Sequence, residues 1–284
     1  MSGVEAVGLP KKRARVLAIG GSDSGGGAGI QADLKTAMAL GAYATTAITA
    51  VTAQNTRGVT SVESVPESMV EAQIRAVLED IGTDAVKTGM LRDARTVEAV
   101  ARGLMLAHAS HVALVIDPVM IAKGGRELLD TDGRAAVVRE LVPRASLVTP
   151  NADEAALLAG FAVTDEASMV RAGEVLLRSG ARAVLVKGGH VPGELVTDVL
   201  IERDRQPVFF RAPRIASRSS HGTGCTLATA IATSLAQGMD LPSSVERARA
   251  FVRRAMSGGL EIGGGHAPLD HGADLSSPHA DRNV

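Results

Sequence analysis

A chain of 284 residues with 45% hydrophobic content can bury one large core, and its 30 Lys plus Arg against 31 Asp plus Glu leave no cationic surplus for nucleic acid or an anionic membrane surface. No run of about eighteen apolar residues is present to cross a bilayer, and no signal-type apolar stretch follows Lys11, Lys12, Arg13 and Arg15. The single cysteine, Cys225, excludes an internal disulfide and a cysteine-built metal site, and together these features point to a cytoplasmic enzyme of small metabolites.

Short β-branched apolar runs alternate with longer Ala- and Leu-rich amphipathic stretches, the pattern of βαβ units around a parallel sheet. The alternation predicts strands at 16–19, 46–51, 85–87, 112–117, 147–149 and 183–187. Helices are expected between them, at 30–40, 68–80, 94–107, 133–141, 153–158 and 166–178. The rhythm then changes: residues 195–201 and 207–211 read as an antiparallel hairpin, followed by two closing helices at 222–237 and 243–262. One α/β domain over residues 15–262 is expected, with mobile tails at 1–14 and 263–284 and no appended domain.

In an open α/β sheet ligands collect beyond the carboxyl ends of the strands, so unusual residues there carry functional weight. Residues 20–29, Gly-Gly-Ser-Asp-Ser-Gly-Gly-Gly-Ala-Gly, follow the first strand directly. Such a loop suits a structural turn, a phosphate loop or a small-ligand loop, and a dinucleotide fingerprint fits poorly because no acidic residue ends a clear second strand.

The turn His221-Gly222-Thr223-Gly224-Cys225-Thr226 is more specific, because glycines at a helix start expose unpaired N–H groups at the positive end of the dipole. Donors so placed suit the charge that develops on a transferring phosphoryl group. Cys225 falls in the first helical turn, where the dipole favours a thiolate able to take a proton; its alternative is a small buried apolar residue. Two further strand ends, Asp117-Pro118-Val119-Met120 and Thr149-Pro150-Asn151-Ala152-Asp153-Glu154, could hold Mg²⁺ with its waters, or Asn151 and Asp153 could simply cap a helix. Lys187-Gly188-Gly189-His190 adds a lysine at another strand end, where the simple alternative is a solvated charge.

Taken in order, these segments, with Ala53-Gln54-Asn55-Thr56-Arg57-Gly58-Val59 and Lys87-Thr88-Gly89-Met90-Leu91, resemble the ribokinase-like kinases, and among them the hydroxymethylpyrimidine/phosphomethylpyrimidine kinase branch, over residues 15–262. The resemblance implies a three-layer sandwich with a mostly parallel sheet, and an ATP- and Mg²⁺-dependent transfer onto 4-amino-5-hydroxymethyl-2-methylpyrimidine and then onto its monophosphate, in thiamin biosynthesis. It implies that Asp33 and Gln54 hydrogen-bond the aminopyrimidine, with Gly21, Met90 and Val119 lining the same pocket. Gly222, Thr223 and Gly224 form the anion hole, Cys225 is the base, Lys187 reaches the nucleotide phosphates, and Asn151 with Glu154, helped by Asp117, organises the magnesium. A homodimer is also implied. Many sugar kinases of the superfamily carry Asp where this chain has Cys225, a departure shared with the pyrimidine-kinase branch. The competing expectations are a pyridoxal kinase of the same superfamily and a non-catalytic pyrimidine or nucleotide sensor. The segment 122–131 is glycine-bearing and charged enough to move, and the sequence does not identify a lid.

Overall fold

The computed structural model describes residues 13–106, 112–121, 125, 127–217 and 219–273. In chain order these form β1 (Arg15–Asp23), α1 (Gly29–Ala39), β2 (Tyr43–Asn55), β3 (Gly58–Ser64), α2 (Glu67–Ala76), β4 (Ala85–Thr88), α3 (Ala94–Leu106), β5 (Ala113–Ile116), α4 (Thr131–Ala136), β6 (Leu147–Val148), α5 (Ala152–Ala159) and α6 (Glu166–Arg178). They are followed by β7 (Ala183–Val186), β8 (Leu195–Glu202), β9 (Val208–Pro213), β10 (Ser219–His221), α7 (Thr223–Ala236), α8 (Leu241–Ser257) and β11 (Ala267–Pro268). Helices α2 and α4 each run on into one wide π-type turn, at Val77–Ile81 and Val137–Leu141.

Nine strands make one sheet in the order β3-β2-β1-β4-β5-β6-β7-β8-β9. Pairing is parallel from β2 through β7, and antiparallel at the two edges, where β3 folds back on β2 and β8 and β9 return as the expected hairpin. The strand order reverses at β1, which lies between β2 and β4, so the crevice of this sheet is expected beyond the carboxyl ends of β1 and β4.

Both faces of the sheet are covered at its centre, which is why β1, β4, β5 and β7 are buried without alternation. Along β1 Val16 packs toward one helical layer with Leu227, Ile231, Val245 and Phe251, while Leu17 and Ile19 pack toward the other with Ile74, Val97 and Val100. The same division recurs in β4, where Ala85 belongs to the first core and Val86 to the second. Helix α7 is buried without interruption from Thr226 to Ser234, so its N-terminus is fixed at the centre of the sheet rim by packing on all sides. The result is the expected three-layer α/β sandwich.

Two expectations about boundaries are corrected. Strand β3 was not expected: its residues Gly-Val-Thr-Ser-Val-Glu-Ser are exposed or half-buried, so they lack the apolar run that marks the buried strands. The segment from residue 263 is not a free tail over its described part. Ala267, Leu269 and His271 are buried, β11 pairs in parallel with β10, and the Asp270 amide donates to the Ala255 carbonyl at 3.0 Å. Residues 1–12 and 274–284, and with them most of the expected N-terminal tail and half of the C-terminal one, lie outside the described residues, as do Ala122, Lys123, Gly124 and Arg126 of the segment 122–131. Among the described residues no helix is long and apolar enough to cross a membrane.

Candidate active site

The register of β1 on β2 slips between Gly20 and Ser22, where β1 runs into the glycine loop. Asp23 organises that loop: its carboxylate accepts the amides of Gly25 at 2.8 Å, Gly27 at 3.1 Å and Ala28 at 2.8 Å, and it lies 3.0 Å from Nε2 of His221. Burial opposes its ionisation, but the His221 contact and the amides outweigh burial and hold Asp23 below the ordinary carboxylate range.

The loop is seated directly on the turn before α7. Gly222 caps that helix at φ +87°, and a methyl there would run into the Gly27 carbonyl oxygen; Gly29 at φ +57° abuts the Gly21 carbonyl in the same way. No L-side chain fits either place, so the two glycine-rich corners, nearly two hundred residues apart in the chain, are one surface. The first intrahelical bond of α7 runs from the Thr226 amide to the Gly222 carbonyl at 2.9 Å, which leaves the preceding amides of Thr223, Gly224 and Cys225 without an intrahelical acceptor.

These corners open on a crevice of about 470 Å³ whose walls include Gly21, Asp33, Gln54, Met90, Val119 and Cys225. Every residue expected to bind substrate is therefore brought to one chamber. Met90, Val119 and Leu128 form its apolar side, backed by the buried Ala50, and a Cβ at Gly21 would strike the Met90 side chain.

Asp33 lines this chamber and is at the same time one half of a buried ion pair. It is 1% exposed, and both oxygens are taken by the equally buried Lys87, at 2.8 and 2.9 Å, with the Thr229 hydroxyl donating to Oδ1 at 2.6 Å. A carboxylate at this depth needs a cation, and the lysine that supplies it stands on β4, 54 positions along the chain. Burial by itself lowers the pKa of the Lys87 ammonium, and the facing charges of Asp33, Cys225 and Asp117 together raise it above that of an ordinary lysine.

Cys225 is half-buried, with its sulfur accepting the Gly29 amide. Here the structure corrects the expectation. Desolvation, with the charges of Asp33 and Asp117, outweighs the pull of Lys87 and pushes the thiol up to about 11, against the thiolate that helix polarity alone would favour.

A second chamber of about 350 Å³ adjoins the first, and the two share Asn151, Lys187, His190, Ser220, Thr223 and Gly224. Its floor carries Leu227, Val252 and Met256. Lys187 Nζ donates to Oδ1 of Asp117 at 2.8 Å, and Gly224 is held close to both, since a Cβ there would lie 3.3 Å from Nζ and 3.5 Å from Oδ2 of Asp117.

Asn151 and Glu154 make a reciprocal capping box on α5: Oδ1 of Asn151 accepts the Glu154 amide and Oε2 of Glu154 accepts the Asn151 amide, both at 2.8 Å. The helix-capping alternative is thus realised for Asn151, while the Asp153 side chain bonds Nδ1 of His190 at 2.8 Å instead. Burial, with Asp117 adding repulsion and Lys187 opposing, raises the Glu154 carboxyl to about 7. Among the described residues no group of three or more His, Cys, Asp or Glu side chains stands ready to enclose a cation. Asp117 and Glu154 still suit Mg²⁺, which takes one or two carboxylates and completes its shell with phosphates and water.

The roles of Lys87, Thr229, Asp23 and His221 escaped sequence reading. Lys87, Asp23 and His221 lay inside motifs, but only the fold shows that a charge is buried or shared.

A family model described as phosphomethylpyrimidine kinase matches residues 23–270. The chain belongs to that family. A hydroxymethylpyrimidine/phosphomethylpyrimidine kinase of Rhizobium meliloti is 51% identical over 90% of this chain and 96% of its own length, and one of Streptomyces coelicolor is 47% identical over 90% and 94%. Among solved structures, a phosphomethylpyrimidine kinase from Clostridium difficile is 38% identical with a TM-score of 0.75, covering 86% of this chain and 99% of that one. An ADP complex of Bacillus subtilis pyridoxal kinase is 31% identical with a TM-score of 0.86, covering 93% and 100%. Sequence identity is thus higher to the pyrimidine kinases while the backbone overlays better on the pyridoxal kinase. The fold alone does not separate the two substrates.

Proposed function

We propose that this protein is an ATP-dependent phosphotransferase acting on 4-amino-5-hydroxymethyl-2-methylpyrimidine and then on its monophosphate, giving the diphosphate used in thiamin biosynthesis. The observation that carries this reading is the pair of chambers meeting at Lys187, Thr223 and Gly224, with Cys225 facing only the first. An alcohol in the first chamber and a nucleotide in the second would meet at the donors of the glycine turn.

The first chamber offers a carboxamide at Gln54 and an apolar wall at Met90 and Val119, which suit a small heteroaromatic ring with donor and acceptor edges. The apolar floor of the second suits a nucleoside base. Lys187 and the amides of Thr223 and Gly224 would hold the charge on the moving phosphoryl group, which in a loose transition state is the main requirement. Asp117 and Glu154 would hold Mg²⁺, which supplies charge neutralisation at the phosphates. As the new C–O–P linkage forms and the bond to the departing diphosphate breaks, the hydroxyl proton passes to the Cys225 sulfur and from there to water. With burial holding the Cys225 thiol up at about 11, the group must first give its own proton to water, and the charges of Lys87 and of the Mg²⁺ that would accompany the nucleotide favour the thiolate that results. Late proton transfer asks little of this base. Action in the cytoplasm and assembly as a homodimer belong to the same reading, and light scattering on the purified protein tests the dimer.

The second reading, a pyridoxal kinase, draws on the TM-score of 0.86 to the Bacillus subtilis enzyme. Side-by-side kcat/KM values for the aminopyrimidine alcohol, its monophosphate and pyridoxal decide between them, with ATP-dependent formation of the diphosphate expected. Absence of any phosphorylated product would return the sensor alternative. For Cys225→Ala we expect kcat to fall by about 10²-fold or more with KM little changed. A near-wild-type kcat would remove Cys225 from the mechanism.

A further inference from the structure

Outside the reacting groups, two hydrogen-bond demands converge on a single atom. Nε2 of His221, one residue before the anion turn, lies 3.0 Å from Oδ2 of Asp23 and 3.0 Å from the carboxamide Nε2 of Gln54. The Asp23 carboxylate already accepts three loop amides and can only accept, so Nε2 of His221 must carry a hydrogen. A protonated Nε2 has no lone pair for an N–H of Gln54. The conflict vanishes when the carboxamide is turned end for end, because the oxygen and nitrogen of an amide are distinguished only by their partners. Its oxygen then shares the one Nε2 hydrogen of His221 with Oδ2 of Asp23 in a three-centre bond. Its NH₂ takes the place 3.5 Å from Thr52 Oγ1, whose own hydrogen is given to the Ser22 carbonyl at 2.9 Å and which is therefore an acceptor.

We propose that His221 is a positioning residue that joins the glycine loop to the substrate carboxamide, holding the Gln54 oxygen on its ring so that the Gln54 NH₂ is presented toward Thr52 and the ring-binding chamber as a donor. The proposal rests on the reading in which Gln54 touches the pyrimidine; what it adds is the direction of that contact and the residue that fixes it. A ring nitrogen with a free lone pair is the acceptor such a donor would meet. The arrangement also makes three distant segments one device, since Asp23 closes the glycine loop, His221 leads into the anion turn, and Pro268 of β11 pairs with His221 from behind.

Two measurements test this. In protein labelled with ¹⁵N-histidine, with the His221 signals assigned by their loss in His221→Gln, the proton is expected on Nε2; a neutral ring carrying its proton on Nδ1 alone would overturn the proposal. In steady-state assays His221→Phe should raise KM for the aminopyrimidine alcohol about tenfold, with kcat and the KM for ATP changed less. His221→Gln keeps an N–H donor on a flexible arm and should restore KM to within about threefold of wild type. A wild-type KM in His221→Phe, or a collapse of kcat at unchanged KM, counts against positioning. If His221→Phe fails to fold, the ring proton and the His221→Gln kinetics still decide. Should the wild-type protein phosphorylate no aminopyrimidine alcohol, the proposed function falls, and the ring proton still decides the part played by His221.

Discussion

Two lysine–aspartate pairs of the same 2.8 Å separation stand at the rim of the sheet, Lys87–Asp33 beneath the first chamber and Lys187–Asp117 where the two chambers meet. The first is nearly sealed, with both side chains 1% exposed and the aspartate accepting two ammonium bonds and a hydroxyl. The second is looser: Lys187 is 13% exposed, it reaches one oxygen of Asp117, and the buried Glu154 carboxyl near it titrates at about 7. Identical residue types therefore serve opposite ends. A sealed pair fixes geometry, whereas under the proposed function a pair with spare donors and a titratable neighbour would exchange partners for phosphates.

The sharpest way to break this comparison is to remove each lysine. Lys87→Met leaves Asp33 charged and uncompensated in the core, and we expect a loss of about 3–5 kcal/mol, read as a large drop in Tm or in the urea midpoint. Lys187→Met should leave Tm near wild type and lower kcat by about 10²–10³-fold, the cost of one transition-state donor. A reversal of these two outcomes would exchange the roles of the pairs.

Glu154 sharpens the contrast through pH. Its folded pKa, raised from 4.5 to about 7, means that the native state binds the extra proton between those values. Stability attributable to this group is therefore undiminished below about 4.5 and falls as pH rises toward 7. Without nucleotide or magnesium, Glu154→Gln should be more stable than wild type at pH 8 by up to roughly 3 kcal/mol. The difference should close by pH 4.5, and activity should be reduced throughout. An advantage that grew toward acid pH would mean the carboxyl is ionised more readily in the folded protein. The smallest effect belongs to Thr229→Val, which deletes one hydroxyl from the sealed carboxylate and should cost about 1.5 kcal/mol with kcat little changed.

The sealed and the open region also differ in how far the sequence discloses them. Buried parallel strands such as Val16 to Ile19 announce themselves, because covering both faces demands an unbroken apolar run. The hairpin of β8 and β9 was legible from its polar link, and the glycine turn before α7 from the chemistry of free amides. Lys87 carried no such mark: a buried and a solvated lysine are the same letter, and its partner Asp33 is adjacent only in space. For Cys225 the letter did suggest reactivity, but the local argument of helix polarity lost to desolvation, a property of the whole crevice. The segment 263–273 reads as loop by composition, yet its few apolar residues are the ones that dock.

That docking has a consequence for the order in which the protein becomes functional. β10 supplies His221 and leads into the anion turn, and its parallel partner β11 is among the last described parts of the chain. During synthesis the sheet can assemble from its N-terminal side, but the brace behind His221 is missing until residues 267–268 have left the ribosome. A gene cut back to a stop codon at position 264 would leave that brace out permanently, with Thr226 deprived of its 2.9 Å contact to His271.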